Sequence, residues 1–284
     1  MKYKLGIIGY PLGHSISAVI QKAGFESLGI DVEYDVMETS PDNLVERVKF
    51  LKVNGYDGFN VTIPLKVPIS FFMEELDDYA NVAGCINTVK ITGSHRDMFG
   101  YNTDIYGFKS AIPKDVDLKG KNACILGTGG ASRAASVGLI ERGITSIDFY
   151  TRNLINAQEP INYLRAKFPK VKFNTHQIQC LLELPKSAIV VNATPIGMKG
   201  YAMDEQPISD AVIKKLDKDT VVYDIVYNPL TTMLLQSAKK EGLRVIEGLD
   251  MLLYQAQKAI QIWTGEVPDI KTMKIAALRN LENI

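Results

Sequence analysis

Short apolar runs rich in β-branched residues alternate with segments of helical period along almost the whole chain. KLGIIG (residues 4–9) precedes an amphipathic stretch to Leu28, VEYDVME (32–38) precedes NLVERVKFLKV (43–53), and GFNVTI (58–63) precedes another helical pattern. That rhythm predicts βαβ units and parallel sheet. Between Cys85 and Met98 it breaks, because INTVKIT (86–92) leads into a polar turn at Gly93–His95, which predicts a hairpin or a sheet edge. After the polar segment PKDVDLKGK (113–121) a second series runs NACILG, helix, SIDFYT, helix, VKFNTH, AIVVNAT and TVVYDIVY. Its strands are continuous apolar runs, as expected where helices cover both faces of a sheet. LRVIEG ends at Gly248, and two helical patterns follow, one over residues 250–263 and one from Pro268 onward.

A length of 284 residues favours two domains over one, since single cores stop growing near this size. The chain is 46% hydrophobic and 23% charged, which excludes a disordered segment as its main content. Lys+Arg and Asp+Glu both total 32 and form no basic stripe, so no bulk charge recruits nucleic acid or an anionic membrane. Cys85, Cys124 and Cys180 are odd in number and lie far apart in apolar runs, which fits reduced thiols better than a disulfide framework. The apolar run Leu5–Ile8 is interrupted by Gly6 and too short for a signal sequence, and no segment is apolar enough to span a bilayer. A soluble, cytoplasmic protein acting on small molecules is expected.

GTGGASRAA places Gly127, Gly129 and Gly130 between a strand and a helix. Glycines there let a pyrophosphate approach the backbone, and the helix N-terminus offers unpaired N–H groups. The third glycine of the usual fingerprint falls at Ser132, so the loop alone is equally readable as a glycine-rich turn. The next strand, SIDFY, ends in Thr151 and Arg152 with no acid at its tip, and Asp148 lies inside it. NAD sites usually carry an Asp or Glu at that tip for the ribose hydroxyls. A guanidinium suits the extra 2′-phosphate of NADP, so NADP is expected over NAD; a solvated surface arginine is the alternative.

Near the N-terminus, Ser15 and Ser17 follow the first strand and can bind a carboxylate at the mouth of a helix, or simply cap it. Lys66 stands directly after the third β-run, and Thr62, Asn87 and Asp104 add polar groups in the same half of the chain. His14, His95 and His176 are scattered without metal-ligand spacing, so no metal is expected. His95 and His176 are read as surface residues and His14 as an organiser of the serine loop.

HSIS, NVTIPLK, GCINTV, GYNTDIYGF, GTGGASRAA, YDIVYNPLTTMLL and GLDMLLYQAQKAIQIWTG occur in this order from about residue 6 to 265. In order and spacing the set resembles the shikimate dehydrogenases. The resemblance implies an α/β fold with an N-terminal α/β substrate domain, a Rossmann-like doubly wound nucleotide-binding domain, and C-terminal helices returning to the first. It implies reversible reduction of 3-dehydroshikimate to shikimate with NADP, a step toward aromatic amino acids. Lys66 and Asp104 match the catalytic pair, and Ser15, Ser17, Thr62, Asn87, Tyr227 and Gln255 match substrate contacts alongside that pair. Gly127, Thr128, Gly129, Gly130, Ala131, Thr151 and Arg152 fall in the NADP segments, while Thr194, Ile225 and Gly248 fall on the nicotinamide side. After Ser17 the chain departs from the family, with Ala18 where proline is usual and Gln21 and Lys22 where His-Asn is common; Thr151 stands where asparagine is frequent.

The residue chemistry agrees with that implication. A ketone accepting hydride needs a proton at its oxygen, and an ammonium at Lys66 can stabilise the developing charge and donate that proton. Asp104 offers a negative charge beside it and oxygens for a substrate hydroxyl. Because Tyr227 and Gln255 follow the nucleotide-binding strands, the expected substrate domain is discontinuous, residues 1–107 and 240–284, flanking a nucleotide domain over 108–239. The active site is expected in a cleft between the two, closing about segments near Gly107 and Leu235. Two rivals stay open, a quinate or quinate/shikimate dehydrogenase using NAD and a ligand-binding paralogue without activity. A homodimer is compatible with the sequence.

Overall fold

The computed structural model describes residues 2–13 and 15–282, and at Cys180 the backbone only. His14, read above as an organiser of the serine loop, lies outside the described residues. The chain divides into two compact units, Met1–Gly107 with Leu253–Ile284, and Phe108–Leu252.

The first unit begins β1 (Lys2–Gly9), α1 (Ser17–Ser27), β2 (Asp31–Glu38), α2 (Leu44–Val53) and β3 (Gly58–Val61). β1 pairs in parallel with both β2 and β3, as the strand–helix rhythm requires. The helical pattern expected after β3 is reduced to a 3-10 segment, Pro68–Phe72, which opens on a proline. Then follow β4 (Glu75–Leu76), α3 (Asp78–Ala83), β5 (Thr88–Thr92), β6 (Asp97–Tyr101) and α4 (Thr103–Ala111), whose end passes into the second unit. β5 and β6 form the expected antiparallel hairpin, with exposed His95 in its turn. The strand order is β2-β1-β3-β5-β6-β4. Ile8, Leu51, Phe59, Leu65, Ile69, Ile86 and Val89 belong to one core cluster over this sheet, so the segments around β3 and β5 are anchored by packing.

The second unit holds β7 (Asn122–Leu126), α5 (Gly130–Glu141), β8 (Ser146–Thr151), α6 (Leu154–Lys167), β9 (Lys172–Gln177), β10 (Ile189–Asn192), α7 (Asp210–Ile213), β11 (Val221–Asp224), α8 (Met233–Lys240) and β12 (Arg244–Ile246). All of its ladders are parallel, in the order β12-β11-β10-β7-β8-β9. This is the doubly wound order, whose reversal between β7 and β10 marks the place where such sheets bind ligands. The apolar runs read from the sequence are buried throughout: β7 is buried from Ala123 to Leu126, and β8, β10 and β11 are buried at every position. Within this core, burial pushes the Cys124 thiol up to about 12, which leaves it a protonated packing group. Cys85 is also buried and in no disulfide.

Two expectations about the domain connections differ from the structure. Leu235 lies fully buried inside α8, because Thr232 caps that helix by accepting from the Leu235 N–H, so no connecting segment exists there. β12 pairs with β11, which keeps residues past 240 in the second unit up to Leu252. The chain rejoins the first unit within α9 (Leu249–Thr264) and ends with α10 (Ile270–Glu282). In the first unit Trp263 donates its indole N–H to the Val89 carbonyl at 2.9 Å. A Cβ on Gly58 would lie 2.3 Å from that indole nitrogen, so glycine there admits α9 to the sheet. Among the described residues no helix is long and apolar enough to cross a membrane.

Candidate active site

Lys66 lies in the turn between β3 and the 3-10 segment. The Leu65 N–H donates to the Thr62 carbonyl at 2.9 Å, and the Ile86 N–H donates to the Lys66 carbonyl at 2.8 Å. Those bonds fasten the NVTIPLK segment to GCINTV. Asp104 stands in the first turn of α4, where the helix N-terminus favours a carboxylate. Lys66 Nζ donates to Asp104 Oδ2 at 2.5 Å, and the two side chains are only 16% and 8% exposed. A charge-assisted bond that is largely shielded from water is held more firmly than a surface ion pair.

Asp104 Oδ1 accepts from Asn87 Nδ2 at 2.8 Å. Asn87 immediately precedes β5 and is itself fixed, since its Oδ1 accepts from the Thr103 N–H at 2.7 Å. Gln255, on α9, brings its Oε1 to 3.3 Å from Asn87 Nδ2 and 3.4 Å from Thr103 Oγ1. Four of the residues singled out in the sequence therefore meet in one hydrogen-bonded group. Ser15 and Ser17, both half-buried, lie at the start of α1; Ser15 Oγ accepts from the Ser17 N–H at 3.3 Å, and no side chain caps the helix. Thr62 is half-buried at the end of β3. Among the described residues these three have no hydrogen bond to the lysine group.

In the second unit the glycine loop leaves β7 next to the reversal of strand order. Gly127 has φ +101°, open to glycine and strained for other residues, and a Cβ on it would press on Thr194 at 2.9 Å. A Cβ on Gly129 would meet no atom within 4 Å, so the backbone there is open to a ligand. Gly130 and Ala131 begin α5, and Thr128 is half-buried between the glycines. Ser132 fills the place of the third glycine; it is buried and its hydroxyl bonds the Gly129 carbonyl at 2.7 Å. Thr151 is buried at the end of β8 and Arg152 is exposed beyond it. Asp148 is committed elsewhere, accepting from Asn174 at 3.1 Å and pairing with His176 at 2.8 Å. The exposed His176 thus has a carboxylate partner and stacks on Tyr150. An open glycine cradle, a helix N-terminus and a cation in place of an acid at the strand tip fit a dinucleotide carrying a 2′-phosphate.

Thr194, Ile225 and Gly248 lie at or just beyond the carboxyl ends of β10, β11 and β12, and Tyr227 lies in the loop after β11, also in the second unit. Gly248 is pressed against Ile225, where a Cβ would lie 2.3 Å from the Ile225 carbonyl oxygen. Among the described residues no cluster of side chains is arranged to hold a metal ion.

A curated shikimate dehydrogenase (NADP+) of Archaeoglobus fulgidus is 39% identical over 277 residues, 98% of each chain. The chain belongs to the shikimate dehydrogenase family. Family models for the shikimate dehydrogenase substrate binding domain and the shikimate 5′-dehydrogenase C-terminal domain match residues 7–89 and 248–278. A shikimate dehydrogenase crystallised with NADP+ superposes with a TM-score of 0.88 at 36% identity, covering 99% of this chain and 96% of that one. The enzyme of Thermus thermophilus in complex with NADP(H) and shikimate follows with a TM-score of 0.81 and 30% identity, over 98% and 99%.

Against the family pattern, α1 forms from Ser17 without the usual proline, and Gln21 turns inward. Gln21 Nε2 and the Tyr34 hydroxyl both donate to Asn60 Oδ1, at 3.1 and 2.8 Å. Asn60 Nδ2 in turn donates to the Asn87 carbonyl and to Thr88 Oγ1, at 3.2 and 3.1 Å. Sequence reasoning did not single out Asn60 or Thr103, although both lie inside the quoted blocks. It also missed Asp224, which is fully buried and accepts from Thr232, the Val226 N–H and Asn192.

Burial raises the Asp224 carboxyl to about 6, outweighing the three hydrogen bonds that favour its charged form. The folded chain therefore holds this proton more readily than the unfolded chain, and stability declines as pH rises between about 4 and 6. Full ionisation costs the fold about 3 kcal/mol relative to an unburied carboxylate. Asp224→Asn is expected to gain stability on the parent between about pH 4 and 7, read by urea unfolding at both ends of that range. A stability difference that stays constant across it would show that the carboxyl ionises at its ordinary pH.

Proposed function

We propose that this chain catalyses the NADP-dependent, reversible oxidation of shikimate to 3-dehydroshikimate. The observation that carries the reading is the Lys66–Asp104 pair, 2.5 Å apart and tied through Asn87 to Gln255. An ammonium has three donors, so with one given to Asp104 others remain for a substrate oxygen. In the reducing direction Lys66 Nζ delivers a proton to that oxygen and opposes its developing negative charge; in the oxidising direction the neutral amine takes the proton back. Asp104 holds the lysine side chain in place, and its oxygens, like those of Asn87 and Gln255, can bond ring hydroxyls. Ser15, Ser17 and Thr62 supply hydroxyls for the substrate carboxylate, and Tyr227 is assigned a substrate contact by its match to the family pattern.

NADP supplies the hydride acceptor and donor. Gly127 to Ala131 would hold its pyrophosphate, Thr151 and Arg152 its 2′-phosphate, and Thr194, Ile225 and Gly248 its nicotinamide. The buried thiols of Cys85 and Cys124, in no disulfide, suit a reducing, cytoplasmic setting.

The test follows nicotinamide absorbance with shikimate or quinate against NADP+ or NAD+. Turnover is expected to be fastest with shikimate and NADP+. Preference for quinate and NAD+ would assign the chain to the other branch, and binding without turnover would remove the catalytic role of the lysine pair.

A further inference from the structure

We propose that Asp224 is a positioning residue for the nicotinamide end of the cofactor, acting through Asn192 on the loops that carry Thr194, Ile225 and Gly248. The inference rests on the reading of those three residues given above. Asn192 is fully buried at the end of β10. Its Nδ2 donates to Asp224 Oδ1 at 2.9 Å and to the Ile196 carbonyl at 3.1 Å, while its Oδ1 accepts from the Thr194 N–H at 3.0 Å and the Thr194 hydroxyl at 2.6 Å. A carboxamide can face either way, but an ionised carboxylate only accepts. Asp224, with the Ile196 carbonyl, therefore holds Nδ2 toward itself and leaves Oδ1 for Thr194, so the carboxylate on one strand supports the conformation of the loop that follows its neighbour.

The same carboxylate orders the other two loops. The Val226 N–H donates to Asp224 Oδ1 at 3.0 Å, and the Thr232 hydroxyl donates to Oδ2 at 2.6 Å. Ile225 lies between Asp224 and Val226 and donates its own N–H to the Asn192 carbonyl at 3.0 Å. Gly248 rests on Ile225 so closely that no side chain fits, which transmits the position of one loop to the next.

The experiment compares Asp224→Asn, which keeps the shape and removes the charge, with the parent in steady-state kinetics and in binding of NADP+ and of 2′,5′-ADP. The latter carries the adenosine and 2′-phosphate but no nicotinamide. Expected are a fall in kcat of about ten-fold and weaker NADP+ binding, with 2′,5′-ADP affinity unchanged. Asn192→Ala, which removes the relay and leaves the carboxylate, is expected to give the same split. Parent-like constants, or equal loss of both ligands, would overturn the proposal. Thr194→Val separates the two levels: if it is impaired and Asp224→Asn is not, only the positioning role fails. If Thr194→Val behaves as the parent, the nicotinamide reading fails and the proposal falls with it.

Discussion

Lys66→Ala is expected to lower kcat for shikimate oxidation by about 10³-fold or more, with KM for NADP+ near the parent value. Two separate contributions are removed together. A positioned acid or base is worth about 10² to 10⁴ in rate, and a fixed charge beside a developing alkoxide about 10² to 10³. They overlap because one ammonium provides both, so the effects do not multiply in full. The fold should survive, since the Lys66 backbone is held by the Ile86 N–H and the neighbouring Leu65 is fully buried in the core. Asp104 loses its cation but keeps the Asn87 donor at 2.8 Å. Removing one partner of a fully buried pair destabilises by about 3 to 5 kcal/mol; the residual exposure of this pair places the expected loss below that range. Circular dichroism and a thermal melt separate a folded, inactive variant from an unfolded one. Turnover within about ten-fold of the parent would take Lys66 out of the proton path.

Much of this site was legible before the structure because its residues sit at strand ends. Lys66 and the glycine loop each follow an apolar β-run and Asn87 stands at the start of one, and periodicity locates such runs well. Partnership was not legible. Asn60 and Thr88 meet only because β3 and β5 pair antiparallel in the register Asn60↔Thr88, and register between distant segments leaves no trace in local pattern. Asp224 was hidden for a related reason: inside TVVYDIVY it reads as one polar residue in an apolar strand, and its function as an acceptor depends on Asn192 in the parallel neighbour. Leu235 was read as part of a connection although Thr232 stands three residues before it, a spacing that marks a helix cap.

Cofactor choice is expected to depend on Arg152. Arg152→Ala should weaken NADP+ by about 10 to 10²-fold, since hydrogen bonds to a charged group are each worth about 1.5 to 3 kcal/mol. NAD+, which lacks the 2′-phosphate, should be used as before, so the ratio of kcat/KM values moves toward NAD+. The side chains beside Arg152 are committed elsewhere. Asp148, the one acid in β8, is occupied by Asn174 and His176 on the β9 side, and Asn153 spends its side chain capping α6 through the Ile155 and Asn156 N–H groups. Arg152 is exposed between them, with its carbonyl accepting from Gln177 at 3.2 Å, so the backbone is held while the guanidinium faces solvent. Unlike Asp224→Asn, Arg152→Ala should also weaken 2′,5′-ADP, because the lost contact is to the phosphate that fragment retains. Equal weakening of NAD+ and NADP+ would instead mean that the substitution disturbs the loop, and the 2′-phosphate would need another partner.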